Sequence, residues 1–176
     1  MTSEELINHI IERFPEAGLE CLVDKGQAAA NVPVEQLEEF LKVMKDTPEF
    51  GFDLFMDITA VDWLERKPRF DVVYHLYSTE HNHRLRIKVG VKEDQQVPSS
   101  ALLWMVANPM EREVWDMYGI KFTGHPNLKR ILLYEEFKGF PLRKDYPYNK
   151  QQPLLEDTWP VRDSQERMDE RGIHRP

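Results

Sequence analysis

Residues 111–130 read EREVWDMYGIKFTGHPNLKR, and residues 140–147 read FPLRKDYP. Together they set Glu111, Arg112, Glu113, Asp116, His125, Arg143, Lys144 and Asp145 among Trp115, Tyr118, Phe122, Phe140 and Tyr146. Acids and a histidine at this density could do acid–base chemistry. On a helix Glu113 and Asp116 share a face at i, i+3, and burial could split their pKa values for hydrolysis, while Glu111 points elsewhere. The structural alternative is that acids in a helix's first turns complement its dipole and Arg112 pairs with Asp116 at i+4. His125, ahead of Pro126 in a turn-like TGHPNL, would need an oriented partner to serve as a base, and no Ser-centred elbow or second aligned histidine accompanies it. The structural reading is adopted for both.

Other chemistry is sparse. His81 and His83 in HNH, with His75 upstream, could approach one ion, but no second ligand cluster exists, so they read as polar residues of a hairpin tip. One cysteine, Cys21, permits no internal disulfide and no Cys-based zinc or iron–sulfur site, and its neighbours Leu19, Leu22 and Val23 make it a buried apolar filler on a strand. Eight glycines form neither GxGxxG nor GxxxxGK[ST], so nucleotides have no recognisable cradle. In LRKDYP, the planar donor fork of Arg143 beside Phe140, Tyr146 and Tyr148 has the composition of interface anchors.

The elements that must position these residues follow from periodicity. TSEELINHIIERF predicts a helix with capping-box spacing at Thr2 and Glu5, an apolar stripe of Leu6, Ile7, Ile10, Ile11 and Phe14, and a stop at Pro15 and Gly18. LECLVD and AAANVP, joined at Lys25-Gly26, predict two short strands, and Pro33 opens a second helix with Leu37, Phe40, Leu41 and Met44 inward. FDLFMDITAVDW, RFDVVYHLYST and HRLRIKVGV predict three antiparallel strands linked by hairpins. SSALLWMVANPMEREVWDMYG returns to helix, with a break at Pro109 and a stop at Gly119. The order predicts an α+β fold, a mainly antiparallel sheet with flanking helices, rather than a doubly wound parallel sheet. A globular domain over 1–122 is expected, followed by an extended, proline-punctuated, partner-binding tail over 123–176 that keeps large apolar residues without periodicity.

The totals agree. A chain of 176 residues, 41% hydrophobic and 31% charged, suits one ordinary domain. The longest apolar run, residues 101–107, falls far short of the roughly 20 residues that span a bilayer, and the acidic N-terminus does not read as a secretory signal. Net charge is −8, and residues 1–60 hold thirteen acids against four bases. No part is basic enough for a nucleic-acid footprint.

EREVWDMYGIKFTGHPNLKRILL followed by EEFKGFPLRKDYP resembles the signature of the C subunit of proton-translocating NADH–quinone oxidoreductase, respiratory complex I. It matches some thirty positions in order, through Asp116, Gly119, Gly124-His125-Pro126, Lys129-Arg130-Ile131-Leu132 and residues 139–147, with Lys129 where arginine and Phe137 where tryptophan is commoner. The resemblance implies a non-catalytic structural subunit of the peripheral arm, on the cytoplasmic side of the bacterial membrane. It implies no cofactor in this chain, with FMN, iron–sulfur clusters and quinone held by neighbours. It also implies docking on the quinone-site D subunit and the B and I iron–sulfur subunits, as a chain separate from the D subunit and without self-association. Glu111, Arg112, Glu113, Asp116, His125, Arg130, Phe140, Arg143, Lys144, Asp145 and Tyr146 are then expected to form or brace the partner interface. Related subunits serve membrane-bound hydrogenases and ferredoxin- or deazaflavin-linked quinone reductases, and the chain does not name its electron donor.

Overall fold

The computed structural model describes residues 1–15, 18–150 and 152; the expected tail residues Pro153, Trp159, Pro160 and Pro176 lie outside them. The first helix, α1 (Ser3–Arg13), starts where the sequence asks it to. Thr2 Oγ1 accepts from the Glu5 N–H at 3.2 Å and Glu5 Oε2 accepts from the Thr2 N–H at 2.8 Å, which satisfies two otherwise orphaned donors. Leu6, Ile7 and Ile10 are buried, whereas Ile11 falls at the edge of the stripe and is exposed. Strands β1 (Glu20–Asp24) and β2 (Gln27–Asn31) form a hairpin. Its two turn residues, Lys25 and Gly26, both have positive φ, as a tight hairpin twisted with its strands requires. Cys21 is half-buried there rather than enclosed. A 3-10 turn (Val34–Gln36) then leads into α2 (Leu37–Asp46), which buries Leu37, Phe40, Leu41 and Met44.

Three long strands follow: β3 (Leu54–Asp62), β4 (Phe70–Ser78) and β5 (His83–Val91). They pair antiparallel in succession, and the sheet order is β1-β2-β5-β4-β3. The one parallel contact, β2 on β5, closes the N-terminal hairpin onto the meander. Alternation fixes the faces. Leu85, Ile87, Val89 and Val91 of β5 and Phe70, Val72, Tyr74 and Leu76 of β4 enter a single core with α1 and α2, while Arg84, Arg86, Lys88, His75 and Tyr77 lie on the other face, exposed or half-buried.

The region before the last helix differs from expectation. Residues 99–106 form turns, and α3 begins only at Ala107 and runs to Tyr118, so Pro109 sits in its first turn and breaks nothing. A proline there lacks only an N–H that has no helical acceptor. Gly119 ends α3 as read, in the left-handed conformation. Short parallel strands β6 (Val97–Pro98) and β7 (Phe122–Thr123) flank the helix. Trp104, buried against Phe55 at 5.5 Å between ring centroids, plugs the preceding turn into the core, and Phe55 meets Tyr74 edge-on at 6.1 Å. Phe55→Ala should therefore cost roughly 3–5 kcal/mol in urea unfolding and expose Trp104 to quenchers. Unchanged Trp104 emission would show that the turn is held without Phe55.

Candidate functional site

Helix α3 lies against β3 and carries two fully buried acids, Glu111 and Asp116. Five residues apart, they point about 140° away from each other around the helix axis, and each grips a different segment. Glu111 holds the turn before the helix. Its Oε2 accepts from Ser99 Oγ at 2.6 Å, and its Oε1 accepts from the Ser100 N–H at 2.7 Å and Ser100 Oγ at 2.6 Å. Asp116 holds the chain after it. Its Oδ2 accepts from the backbone N–H groups of Ile131, Leu132 and Leu133 at 3.1, 2.9 and 2.9 Å, and its Oδ1 takes Arg130 Nη1 at 2.5 Å. Arg130 in turn donates to the carbonyls of Phe137 and Gly139 and lies over the rings of Trp115, Phe137 and Phe140.

Asp116 is thus saturated by Arg130, and the expected Arg112–Asp116 pair does not form. Arg112 instead donates to the carbonyls of Lys129 and Arg130 at 3.0 and 2.8 Å, holding the same segment from its other side. Helical spacing alone would bring the two together, but a carboxylate facing inward meets donors from the tertiary fold first. Glu113 is exposed and pairs with no cation among the described residues. His125 is fully engaged: Nε2 donates to the Asn108 carbonyl at 3.1 Å and Nδ1 accepts from the Asn127 N–H at 3.0 Å. The arrangement fits one neutral tautomer and ties the turn to the start of α3. Glu113, Asp116 and His125 therefore make no acid–base constellation. The two histidines of HNH lie 5.4 Å apart between ring centroids, but His81 and His83 bond the carbonyls of Pro48 and Phe50, and no group of three metal-ligating side chains exists among the described residues.

The second stretch is strapped down as well. Arg143 donates to the Tyr118 carbonyl at 2.5 Å and to Glu93 at 3.0 Å, with its guanidinium over Phe140 and Phe70. Lys144 gives its N–H to Asp62 at 2.9 Å and lays its ammonium over Trp63, while Asp145 pairs with Arg69 at 2.9 Å. Phe140 and Arg143 pack so closely on Gly119 that a Cβ there would lie 2.5 Å from the ring and 2.8 Å from the guanidinium. Tyr146 stacks on Phe137 and accepts from Gln152 at 2.8 Å. Residues 130–145, within the expected tail, are thus bonded to α3, β3 and the residue before β4 through Asp116, Tyr118, Asp62 and Arg69.

Asp62, Arg69, Glu93, Ser99 and Ser100 were not singled out in the sequence. Asp62 carried a legible signal, since it occupies an inward position of β3, where alternation calls for an apolar residue. It sits 4% exposed, gripped by Arg69 through two bonds of 2.9 and 2.8 Å. The serines gave none.

Residues 30–152 match the family described as respiratory-chain NADH dehydrogenase, 30 Kd subunit. The chain belongs to that family. It is 43% identical over 149 residues to the NADH-quinone oxidoreductase C subunit numbered 2 of Rhizobium etli (strain CIAT 652), covering 84% of this chain and 80% of the relative. It is 49% identical over 122 residues to the NADH-quinone oxidoreductase C subunit numbered 2 of Rhizobium meliloti (strain 1021), covering 69% and 67%. A solved chain from the membrane-bound sulfane sulfur reductase, an archaeal respiratory membrane complex, superposes with a TM-score of 0.70 at 25% identity, over 89% of this chain and 98% of that one. In this member of the family, the stretch that carries the resemblance is where α3 locks two neighbouring segments in place.

The two buried acids differ electrostatically. Burial pushes the Asp116 carboxyl up, but the Leu133 N–H, Arg130 and the Leu132 and Ile131 N–H groups outweigh it and hold it below the usual range. For Glu111 burial wins over the serine bonds, and its carboxyl is raised. Hydrogen bonds from Arg69 lead in depressing both Asp62 and Asp145. A group depressed in the folded state contributes stability that is fully present above its unfolded value, near pH 4, and lost as pH falls further. Acidification below about pH 4 should therefore loosen residues 130–147, read as faster proteolysis of that segment; an acid-insensitive segment would contradict the assignment. Asp116→Asn should cost about 3–5 kcal/mol, because either amide orientation turns an N–H against a donor. Glu111→Gln should stay within about 1 kcal/mol of the parent at pH 7, because the Ser99 hydroxyl can rotate to accept. Urea midpoints of the two variants check this pair, and equal losses would refute it.

Proposed function

We propose that this chain is a non-catalytic structural subunit of the peripheral arm of NADH–quinone oxidoreductase, supporting electron transfer from NADH to quinone coupled to proton translocation. On this reading it docks on the quinone-site D subunit and the nearby B and I iron–sulfur subunits, at the cytoplasmic side of the membrane. Flavin, iron–sulfur clusters and quinone are held by neighbouring subunits, and the chain binds partners rather than copies of itself. The observation that carries the reading is the division of labour in residues 124–150. The Arg130 and Arg143 side chains, the Lys144 backbone N–H and the Asp145–Arg69 pair pin the segment, leaving Ile131, Leu132, Leu142 and Tyr148 exposed to 40, 61, 52 and 100%. Large apolar side chains held outward on a fixed backbone are suited to a partner surface, because little ordering entropy remains to be lost on docking. The buried acids are saturated by structural donors, which suits a brace rather than a reaction centre. Among the described residues no helix is long and apolar enough to cross a membrane.

A second reading keeps the docking role and changes the electron donor: the equivalent subunit of a membrane-bound hydrogenase or a ferredoxin- or deazaflavin-linked quinone reductase. The likeness to a chain of the sulfane sulfur reductase complex favours keeping it. Pull-down of the tagged chain from gently solubilised membranes separates the two. An NADH-oxidising particle with the B, D and I subunits is expected; hydrogenase or ferredoxin-linked partners would select the second reading, and a partnerless monomer would overturn both. Arg143→Ala, which unpins residues 140–146, should lower the recovered complex several-fold. Wild-type yield and salt resistance would show that Arg143 is not needed for assembly.

A further inference from the structure

Helix α3 carries one buried acid whose surroundings do not require it to be charged. Glu111 forms no ion pair among the described residues, and its three hydrogen bonds come from neutral donors, the Ser99 hydroxyl and the Ser100 N–H and hydroxyl. A carboxylate so placed loses its hydration without gaining a cation. A proton can be accommodated. Ser99 Oγ already accepts from the Ala101 N–H at 3.2 Å, and Ser99 is half-buried, so its own hydrogen can turn to solvent while the oxygen accepts from a protonated Glu111 Oε2. Oε1 then keeps both of its bonds from Ser100. The turn that Glu111 holds, residues 99–106, carries Leu102 and Met105, exposed to 82 and 88%. Its other holds are the Ser99 N–H on the Thr123 carbonyl at 2.9 Å, the Lys45 ammonium on the Leu103 carbonyl and the buried ring of Trp104.

We propose that Glu111 is a proton-operated latch: with a proton bound it holds the turn of residues 99–106 tightly, and on losing the proton it loosens the turn and frees Leu102 and Met105. The latch is internal to the chain and does not depend on which electron donor its complex uses. Its sign follows from linkage. Burial holds the Glu111 carboxyl above its ordinary range against the pull of its serine bonds. An acid raised in this way contributes stability that is fully present below its unfolded value, near pH 4, and is lost as pH rises through the folded one. Asp116 behaves oppositely, so the two ends of α3 answer protons in opposite directions: residues 130–147 need the charge, and residues 99–106 favour its removal. The other titratable groups facing Glu111 are Tyr74 and His125. Burial pushes the Tyr74 phenol up, so it stays neutral while Glu111 titrates. Charging His125 would remove the acceptor of the Asn127 N–H and draw Glu111 toward its ionised form, a loosening in acid and therefore the opposite sign.

The test uses the full chain. Infrared titration should show one protonated carboxyl that survives to higher pH than the exposed acids. Asp62 and Asp116, the other buried carboxyls among the described residues, are held below their ordinary range, so that band belongs to Glu111. It should vanish in Glu111→Gln. Hydrogen-exchange protection of the Ser100 and Trp104 amides, corrected for the intrinsic rate, should fall several-fold in the parent between about pH 5 and about pH 8 and stay flat in Glu111→Gln. Absence of the carboxyl band in the parent would overturn the proposal without any variant. So would protection that rises with pH, or that falls equally in the glutamine variant. An equal fall at the amides of β4 would mark a loss of global stability in place of a latch, and would overturn it too.

Discussion

A carboxylate with no access to water, Asp116, organises the C-terminal part of this molecule. Burying an ionised acid costs several kcal/mol unless its lone pairs are filled, and here one guanidinium and three consecutive backbone N–H groups fill them. Those three donors belong to residues 131–133, which have no regular structure of their own. The requirement therefore runs in both directions. The acid needs the segment for its charge, and the segment needs the acid for backbone groups that neither helix nor sheet would satisfy. Arg130 extends the hold to Phe137 and Gly139, and so from the helix to the next turn of the chain.

A second node does for residues 143–145 what Asp116 does for 130–133. Asp62, at the end of β3, is shared between Arg69 and the Lys144 N–H, and Arg69 reaches Asp145 as well. Between the two nodes, Arg143 sits over Phe70 and Phe140, so the fold of the sheet and the course of the strap are fixed by the same aromatic and ionic contacts. A fold of this kind can present an irregular surface with little entropy left to lose, which is what an assembly component needs.

Glu111 and Asp116 show why identical chemistry on one helix need not mean one role. Both are fully buried, yet Glu111 meets two hydroxyls that can reverse their hydrogen bonds, whereas Asp116 meets only obligate donors. The first tolerates a proton; the second requires a charge. Both are engaged by structural donors, and the EREVWD run acts as a double clamp.

Local signals were legible in the residues themselves. The Thr2–Glu5 capping box, the Lys25-Gly26 turn, the three alternating strands and the Gly119 stop each depend on side chains and backbone within a few positions, so short-range pattern determines them. The α+β class follows from their order, and the run from Glu111 to Pro147 carries the family. Only tertiary structure decided that β2 lies parallel on β5, that Arg130 rather than Arg112 neutralises Asp116, and that Arg69 meets Asp145 across 76 positions of chain. Pairings over such separations are set by which buried charges and sheet edges the packed core brings together, and no local spacing encodes that choice.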